Sequence, residues 1–277
     1  MKIKGELRKM LVEFNAENVV QYQMLFYNSE TKEEQKLPMN DLIGQNVSFQ
    51  FDGNIFCKKC GTKTKTSFNQ GFCYPCFKDA PESAECIIRP ELCRAHLGEG
   101  RDVEWEEKHH NQPHIVYLAA SDVVKVGVTR ETQVPTRWID QGANEAIKLA
   151  ETPNRYLAGV LEVALKSEFT DKTNWRKMLR NEVDENIDLE ETKWQLEELL
   201  PEDLAQYITE DDEITDINYP VLAYPVKIKS VNLDKLPSIS GKLMGIKGQY
   251  FLLDGDRVMN IRRHTSYEVE FSISDES

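Results

Sequence analysis

Four cysteines form two C-x-x-C pairs within the stretch FCKKCGTKTKTSFNQGFCYPCF. Each pair can turn so that both thiolates face one ion, and two pairs supply the four sulfurs of a tetrahedral zinc site. Such a site leaves no coordination position for water or substrate, so the predicted zinc is structural and organises a zinc ribbon. The alternatives are buried free cysteines or redox-active pairs. The predicted ligands are Cys57, Cys60, Cys73 and Cys76.

A second group of potential ligands begins at Cys86, with Cys93 and His96 close behind it. Further histidines downstream are His109, His110 and His114. Two thiolates and an imidazole would hold another ion if one later histidine completed the set. The spacing matches no standard template, so two buried cysteines with surface histidines are the alternative. The predicted second set is Cys86, Cys93, His96 and His114.

Downstream, the stretch HIVYLAASDVVKVGVT has the pattern of two short apolar strands joined by a Ser-Asp turn. VPTRWIDQGA follows it, then the strand-like EAIKLAET, and then NRYLAGVLEVALKSEF, whose apolar residues recur at helical spacing. The order strand, strand, helix, strand, helix predicts a compact α/β unit over residues 113–180.

This order resembles the catalytic domain of the GIY-YIG nuclease family, and most closely its phage-type branch with lysine in the second motif. That family carries a tyrosine on the first strand, an arginine on the first helix and a metal-binding glutamate on a later helix. Taken with RWIDQGA, DKTNWRKML and GIKGQYFLLDG, the whole chain also resembles a bacterial family known only as a domain of unknown function.

The GIY-YIG resemblance implies a role for each of four residues. Tyr117 would lie beside the attacking water, and Lys125 would replace the second tyrosine of the family. Arg137 would clamp the scissile phosphate, because a planar guanidinium can donate two hydrogen bonds to it. Glu162 would hold one Mg²⁺ or Mn²⁺, for which one carboxylate with waters suffices. Taken singly, the same residues fit structural roles in a strand, a packed helix and a helix flank.

A polar and aromatic run in DKTNWRKML could line the same cleft, without an assigned role. Its members are Asp171, Asn174, Trp175 and Arg176.

The charge of the chain is unevenly distributed. The formal net charge is −13, yet residues 182–216 contain 15 Asp or Glu against Lys193 alone, a net of −14 that leaves +1 for the remainder. Residues 51–78 hold five lysines against Asp52, or +4, around the cysteine pairs. Because affinity for phosphate comes largely from Lys and Arg, this local basic patch keeps DNA or RNA as a predicted partner.

Composition predicts a soluble, cytoplasmic, globular protein without a membrane partner. Apolar residues make up 40% of the 277 positions, which is enough for a packed core. The chain has no run of about 18 to 20 apolar residues, and MKIKGELRKM lacks the apolar middle of a secretory signal. Paired cysteines in such a chain favour metal binding over disulfides.

The predicted fold class is α+β, with antiparallel, barrel-like β structure built from both termini. A G-x-L strand and a later alternating strand occur at each end, as VSFQF and as YEVEF. LEETKWQLEELL predicts an acidic helix that ends at Pro201. The predicted segments are an N-terminal β region at 1–53, the zinc ribbon at 54–80, a linker with the second cluster at 81–112, a GIY-YIG-like core at 113–180, an acidic helical segment at 181–218 and a C-terminal β region at 219–277.

Three functions follow from these features. The leading prediction is a phosphodiesterase that cleaves DNA or RNA with Mg²⁺ or Mn²⁺ and carries a structural zinc. The first alternative is a non-catalytic nucleic-acid-binding protein that uses the ribbon lysines and a β-barrel face. The second alternative is a protein-interaction module whose acidic helix docks a basic protein partner.

Overall fold

The computed structural model describes residues 1–169 and 174–274 of the chain. Asp171 of the predicted polar run therefore lies outside the described residues. The described part contains fifteen strands and seven α-helices, which confirms the mixed α+β class with strands in the majority. The chain divides into two compact units. Unit 1 comprises Met1–Lys78, Ile139–Gln141 and Asn218–Ser277, and unit 2 comprises Asp79–Trp138 and Gly142–Ile217.

The bounds of the elements are as follows. The strands are β1 (Lys2–Leu7), β2 (Leu11–Phe14), β3 (Val20–Asn28), β4 (Glu33–Pro38), β5 (Asn46–Phe56), β6 (Lys63–Thr64), β7 (His114–Ala120), β8 (Val124–Arg130), β9 (Glu145–Thr152), β10 (Thr215–Asp216), β11 (Lys229–Val231), β12 (Ser238–Lys247), β13 (Tyr250–Leu253), β14 (Arg257–Asn260) and β15 (Tyr267–Ser274). The α-helices are α1 (Tyr74–Asp79), α2 (Val103–His110), α3 (Thr136–Gln141), α4 (Arg155–Ala164), α5 (Trp175–Leu179), α6 (Leu189–Leu199) and α7 (Glu202–Ala205). Short 3₁₀ helices are Asn40–Leu42, Pro81–Ser83, Glu85–Ile87, Pro90–Leu92, Ala95–Leu97, Glu131–Gln133, Lys166–Glu168 and Arg262–His264.

Unit 1 is built on one eleven-stranded sheet that curls like half a barrel. Its strand order is β11-β14-β13-β12-β5-β15-β1-β3-β2, with β4 added to β3 and β6 added to β5. β15 pairs antiparallel with β1 on one side and with β5 on the other, so both termini supply the middle of the sheet. The prediction that the two ends form antiparallel β structure is confirmed.

Alternation of apolar and polar residues sets the faces of this sheet. Phe271 of β15 pairs with Phe49 of β5, and their ring centroids lie 5.0 Å apart. Phe251 of β13 lies 5.8 Å from Phe49 on the same face. These aromatic contacts bury the inner face, and the intervening glutamates of β15 are only partly exposed beside lysines of β1.

A lysine is fully buried at the end of β12. The side chain of Lys247 has no exposed surface, and its Nζ lies 5.0 Å from the ring centroid of Tyr219 and 5.7 Å from that of Tyr224. Burial lowers the pKa of this ammonium group to about 7. The lysine is therefore held in an aromatic environment in which its charge is poorly solvated.

Unit 2 contains a four-stranded antiparallel sheet in the order β10-β9-β7-β8. β7 and β8 form the predicted hairpin, with Tyr117 opposite Gly127. One face of the sheet packs on α4 and α6, where Leu161 and Leu196 are buried in a common apolar core. The predicted acidic helix is present as α6, which is capped by the Asp188 side chain and ends two residues before Pro201.

The buried lysine predicts how stability depends on pH. In the unfolded chain Lys247 keeps its usual pKa near 10.5, so between about pH 7 and that value the unfolded chain binds a proton that the folded chain has released. Relative to a Lys247→Met variant, the free energy of unfolding of the natural chain should rise by about 1 kcal/mol per pH unit above pH 7. Urea unfolding at a series of pH values up to about 9.5 measures this difference. Lys235→Met, at an exposed position, is the control; equal pH slopes for Lys247→Met and the natural chain would contradict the expectation.

Candidate metal centre

The first cysteine pair follows directly on β5 in a tight turn. The Gly61 amide donates to the Cys57 carbonyl at 2.8 Å, and the Cys57 amide donates to the Thr62 carbonyl at 2.9 Å. Gly61 has a φ of +70°, a conformation that residues with a Cβ rarely adopt. The turn brings the side chains of Cys57 and Cys60 to the same side of the chain.

The second pair is held beside the first by backbone hydrogen bonds. The Lys58 amide donates to the Gly71 carbonyl at 2.7 Å, and Phe68 and Phe72 exchange two bonds of 2.9 Å. Gly71 has a φ of +121°, and a Cβ there would lie 2.8 Å from the Lys58 side chain. Cys73 immediately precedes α1, whose first turn is closed by the Phe77 amide donating to the Cys73 carbonyl at 2.9 Å.

The four sulfurs converge at a spacing that suits one metal ion. They all lie within 4.8 Å of one another, and Sγ of Cys60 lies 3.7 Å from Sγ of Cys73. Four sulfurs at about 2.3 Å from a tetrahedral zinc are about 3.8 Å apart, so the donor set fits. Hydrogen bonding from Thr62 lowers the pKa of the Cys60 thiol to about 6, which favours a thiolate at neutral pH. Cys57, Cys60, Cys73 and Cys76 are thus positioned to hold a metal such as zinc.

Basic and aromatic side chains surround this cluster. They lie in residues 57–78, within the predicted zinc-ribbon segment 54–80, and from here on the ribbon means residues 57–78. Five of its lysines are exposed: Lys58, Lys59, Lys63, Lys65 and Lys78. Nζ of Lys58 lies 4.1 Å from the Phe72 ring centroid. Tyr74 is 55% exposed, and its ring lies edge-on to Phe68 at 5.4 Å. Phe68 also stacks on Phe77 at 5.9 Å.

The residues of the predicted phosphodiesterase site lie on β7, β8, α3 and α4. Tyr117 is only 1% exposed, and its ring centroid lies 6.0 Å from that of Trp138. Its hydroxyl lies over the partner strand, where a Cβ on Gly127 would come within 2.6 Å of it. This crowding explains the glycine and gives Tyr117 a packing role in the sheet.

Strand geometry places Tyr117 and Lys125 on the same face of the sheet. Successive side chains of a strand point to opposite faces, and directly paired residues share a face. Val116 and Leu118 face α4 in the apolar core, so Tyr117 faces the other side. Lys125, which pairs with Ala119, lies on that other side with Tyr117. Burial lowers the pKa of Lys125 there.

Glu162 lies on α4, beside the core residue Leu161. Burial raises the pKa of its carboxyl to about 7, although the positive charges of Arg155 and Arg137 oppose this shift. Glu91 adds to the shift by like-charge repulsion. Arg137 therefore contributes to the electrostatic field at Glu162, and Tyr117 and Lys125 lie on the sheet face opposite α4, the helix that carries Glu162.

Cys86 and Cys93 lie beside His110, and not beside His96 or His114 of the predicted set. Cys86, Cys93 and His110 have ligand atoms within 4.8 Å of one another. The His96 ring instead stacks on Tyr156 at 4.6 Å, and Nδ1 of His114 lies 2.7 Å from the Gln112 carbonyl oxygen.

Sequence reasoning did not include Glu106, whose carboxylate lies beside His110. Both residues are on α2, which begins after the Asp102 cap and ends at His110. The spacing of Glu106 and His110 indicates that the two side chains are neighbours, because residues four apart lie on one face of a helix.

Residues 44–269 match the model of a family described as "Protein of unknown function (DUF2797)". No curated protein and no solved structure matched the chain. Within the described residues, none of the helices is both long enough and apolar enough to cross a membrane.

Removal of a ribbon sulfur should release one metal ion. Cys60→Ser and Cys73→Ser are each expected to lower the zinc content by one equivalent per chain, since a hydroxyl does not replace a thiolate in a closed four-sulfur site. Elemental analysis of protein purified without chelator measures this content. Thr66→Ser, at an exposed ribbon position that is not a ligand, is the control. Unchanged zinc in both cysteine variants would rule out a metal at this centre.

Proposed function

The chain belongs to the DUF2797 family of proteins of unknown function, and we propose that it is a metal-stabilised nucleic-acid-binding protein that contacts its ligand through the ribbon. The proposal rests on one observation. The four converging cysteines organise a segment that carries five exposed lysines and an exposed tyrosine.

The chemistry of this surface matches that of a nucleic-acid strand. Lysines that neutralise phosphates release condensed counterions, which supplies sequence-independent affinity. An exposed aromatic ring such as Tyr74 offers a platform on which a base can stack. Arg262 extends the basic surface, because its Nε donates to the side-chain oxygen of Gln70 in the ribbon. The local charge of +4 in residues 51–78 contrasts with the net charge of −13, so this region favours phosphate although the whole chain is acidic.

Binding through the ribbon predicts a specific salt dependence. The triple variant Lys59→Ala, Lys63→Ala, Lys65→Ala should weaken binding and reduce the slope of log affinity against log salt by about 0.7 to 0.9 for each phosphate that is no longer neutralised. Fluorescence anisotropy with labelled single-stranded RNA, single-stranded DNA and duplex DNA measures both quantities. The matched control removes the same charge at exposed lysines outside the ribbon: Lys36→Ala, Lys227→Ala and Lys235→Ala.

The aromatic contribution is measured separately. Tyr74→Ala should lower the affinity for single strands by about 1 to 3 kcal/mol, whereas Tyr74→Phe should retain it, because stacking needs the ring and not the hydroxyl. Binding that is independent of salt, or equal losses in the ribbon and control triple variants, would contradict this function.

A second candidate function is phosphodiester cleavage, as the GIY-YIG resemblance implies. It is favoured by the half-buried carboxyl of Glu162 in the field of Arg137, because shifted carboxyl groups near cations are typical of functional sites. Glu162 would hold Mg²⁺ or Mn²⁺, which would neutralise charge on the phosphate, and Arg137 would bind a phosphate oxygen. Tyr117 and Lys125 complete the proposed set only if substrate reaches their face of the sheet. Arg155 is already occupied in donating to the Cys86 and Ile87 carbonyls.

Cleavage by this site predicts a rise of activity with pH. The Glu162 carboxyl, with a pKa of about 7, must lose its proton to bind a cation, so metal-dependent cleavage should increase between about pH 6 and 8. Glu162→Gln and Arg137→Ala should each lower cleavage of labelled DNA or RNA at least about 100-fold, the scale of one lost charge-stabilising group. Glu168→Gln is the control at an exposed carboxylate nearby in the chain. A thermal shift by Mn²⁺ that Glu162→Gln retains would place any bound cation elsewhere.

A further inference from the structure

Unit 2 contains a second cluster of metal-ligating side chains, separate from the ribbon cysteines. Nδ1 of His110 lies 3.6 Å from Sγ of Cys93 and 3.9 Å from Sγ of Cys86. The same nitrogen of His110 lies 3.7 Å from Oε2 of Glu106. We propose that Cys86, Cys93 and His110 hold a second structural zinc ion, independent of the proposed nucleic-acid binding, and that the neighbouring Glu106 carboxylate turns in as the fourth ligand.

The separations suit ligands of one ion better than hydrogen-bonded groups. A nitrogen at about 2.0 Å and a sulfur at about 2.3 Å from tetrahedral zinc are about 3.6 Å apart, close to both observed nitrogen–sulfur distances. An imidazole nitrogen that hydrogen-bonds a carboxylate lies at about 2.8 Å, so the 3.7 Å to Glu106 leaves that contact unmade. An ion would bind the two sulfurs and the His110 nitrogen, which lie within 4.8 Å of one another, and the Glu106 carboxylate lies beside that nitrogen.

The burial of these four residues favours a bound cation beside the Glu106 carboxylate. Glu106 is 3% exposed and His110 is 2% exposed, and Cys86 and Cys93 are also buried. One oxygen of Glu106 accepts the Arg101 amide at 2.9 Å, while the other faces His110. A carboxylate in so dry a site is costly unless a cation or hydrogen bonds compensate its charge, and the two thiols beside it can release their protons on binding a metal. Thiolates and an imidazole select zinc over Mg²⁺.

The surrounding segment has little else to hold it together. Residues 81–97 form four successive 3₁₀ turns, and a buried apolar cluster there consists of Ala84, Cys86, Cys93 and Ala95, with Tyr156 packed against it. A core of small side chains contributes little burial energy, and small regions of this kind are commonly stabilised by a metal.

The cluster also anchors the segment to α4. Arg155 donates to the Cys86 and Ile87 carbonyls at 2.8 and 2.9 Å. Gly159 lets the backbone at Glu91 approach so closely that a Cβ would lie 2.1 Å from the Glu91 nitrogen. A metal bound by Cys86 and Cys93 would therefore fix the turn that carries Glu91 against α4.

The natural chain by itself tests the proposal. Elemental analysis should give two zinc ions per chain, and zinc K-edge absorption should show an average of three sulfurs and one nitrogen or oxygen per ion, because a four-sulfur site is averaged with a site of two sulfurs, one nitrogen and one oxygen. One zinc per chain with purely sulfur ligands would overturn the second site, whether or not the ribbon binds nucleic acid.

Variants identify the ligands. His110→Ala and Cys93→Ser should each lower the zinc content from two to one, with the remaining ion ligated by sulfur alone, and Glu106→Gln should weaken zinc retention during dialysis against a chelator. His96→Ala and His114→Ala are the matched controls and should keep two ions. If the unit 2 variants do not fold, the double variant Cys57→Ser, Cys60→Ser removes the ribbon ion instead and should leave zinc with two sulfurs and two nitrogen or oxygen ligands. Loss of the unit 2 zinc ion in His96→Ala, together with its retention in Glu106→Gln, would overturn Glu106 as the fourth ligand.

Discussion

Convergence of thiol side chains is the constraint on which the chain between β5 and β7 depends. Residues 57–77 contain no aliphatic side chain, and in residues 81–97 the side chains of Ile88, Leu92 and Leu97 are exposed, so both segments form short turns with little apolar burial. Such segments cannot bury enough apolar surface to offset the conformational entropy lost on folding. In both of them, cysteines from separate turns lie close enough to share an ion. Metal ligation can thus do here what an apolar core does elsewhere in the chain.

The sheet of unit 2 determines how the candidate phosphodiester site can be assembled. One face of this sheet packs against α4 in the apolar core, and the other face carries Tyr117 and Lys125. Glu162 emerges from α4 with its carboxyl half-buried and surrounded by charges of both signs. Tyr117 packs over Gly127 of the hairpin, on the sheet face opposite α4.

The negative charge of the chain is concentrated in residues 182–216, so the acidic composition does not by itself decide the function. The helix α6 lies in the acidic segment, and it turns Leu189 and Leu196 inward together with Lys193, whose Nζ lies 2.7 Å from the Asp212 carboxylate. The ribbon, in the other unit, presents lysines and Tyr74 to solvent. A ligand that binds at the ribbon would contact this local positive charge.

The sequence by itself determined the features whose causes are local. The two C-x-x-C pairs, the hairpin around its Ser-Asp turn and the helix before Pro201 follow from spacing and periodicity within short stretches of the chain, and the α+β class follows from such patterns taken together. Only the tertiary structure decided the position of β5 between β12 and β15 and the choice of His110 over His96 and His114 beside the second cysteine pair. It alone also placed Tyr117 on the sheet face opposite α4, the helix that carries Glu162. These outcomes depend on strand register, on where a helix begins and on which face becomes buried, and each is fixed by contacts between residues far apart in the chain.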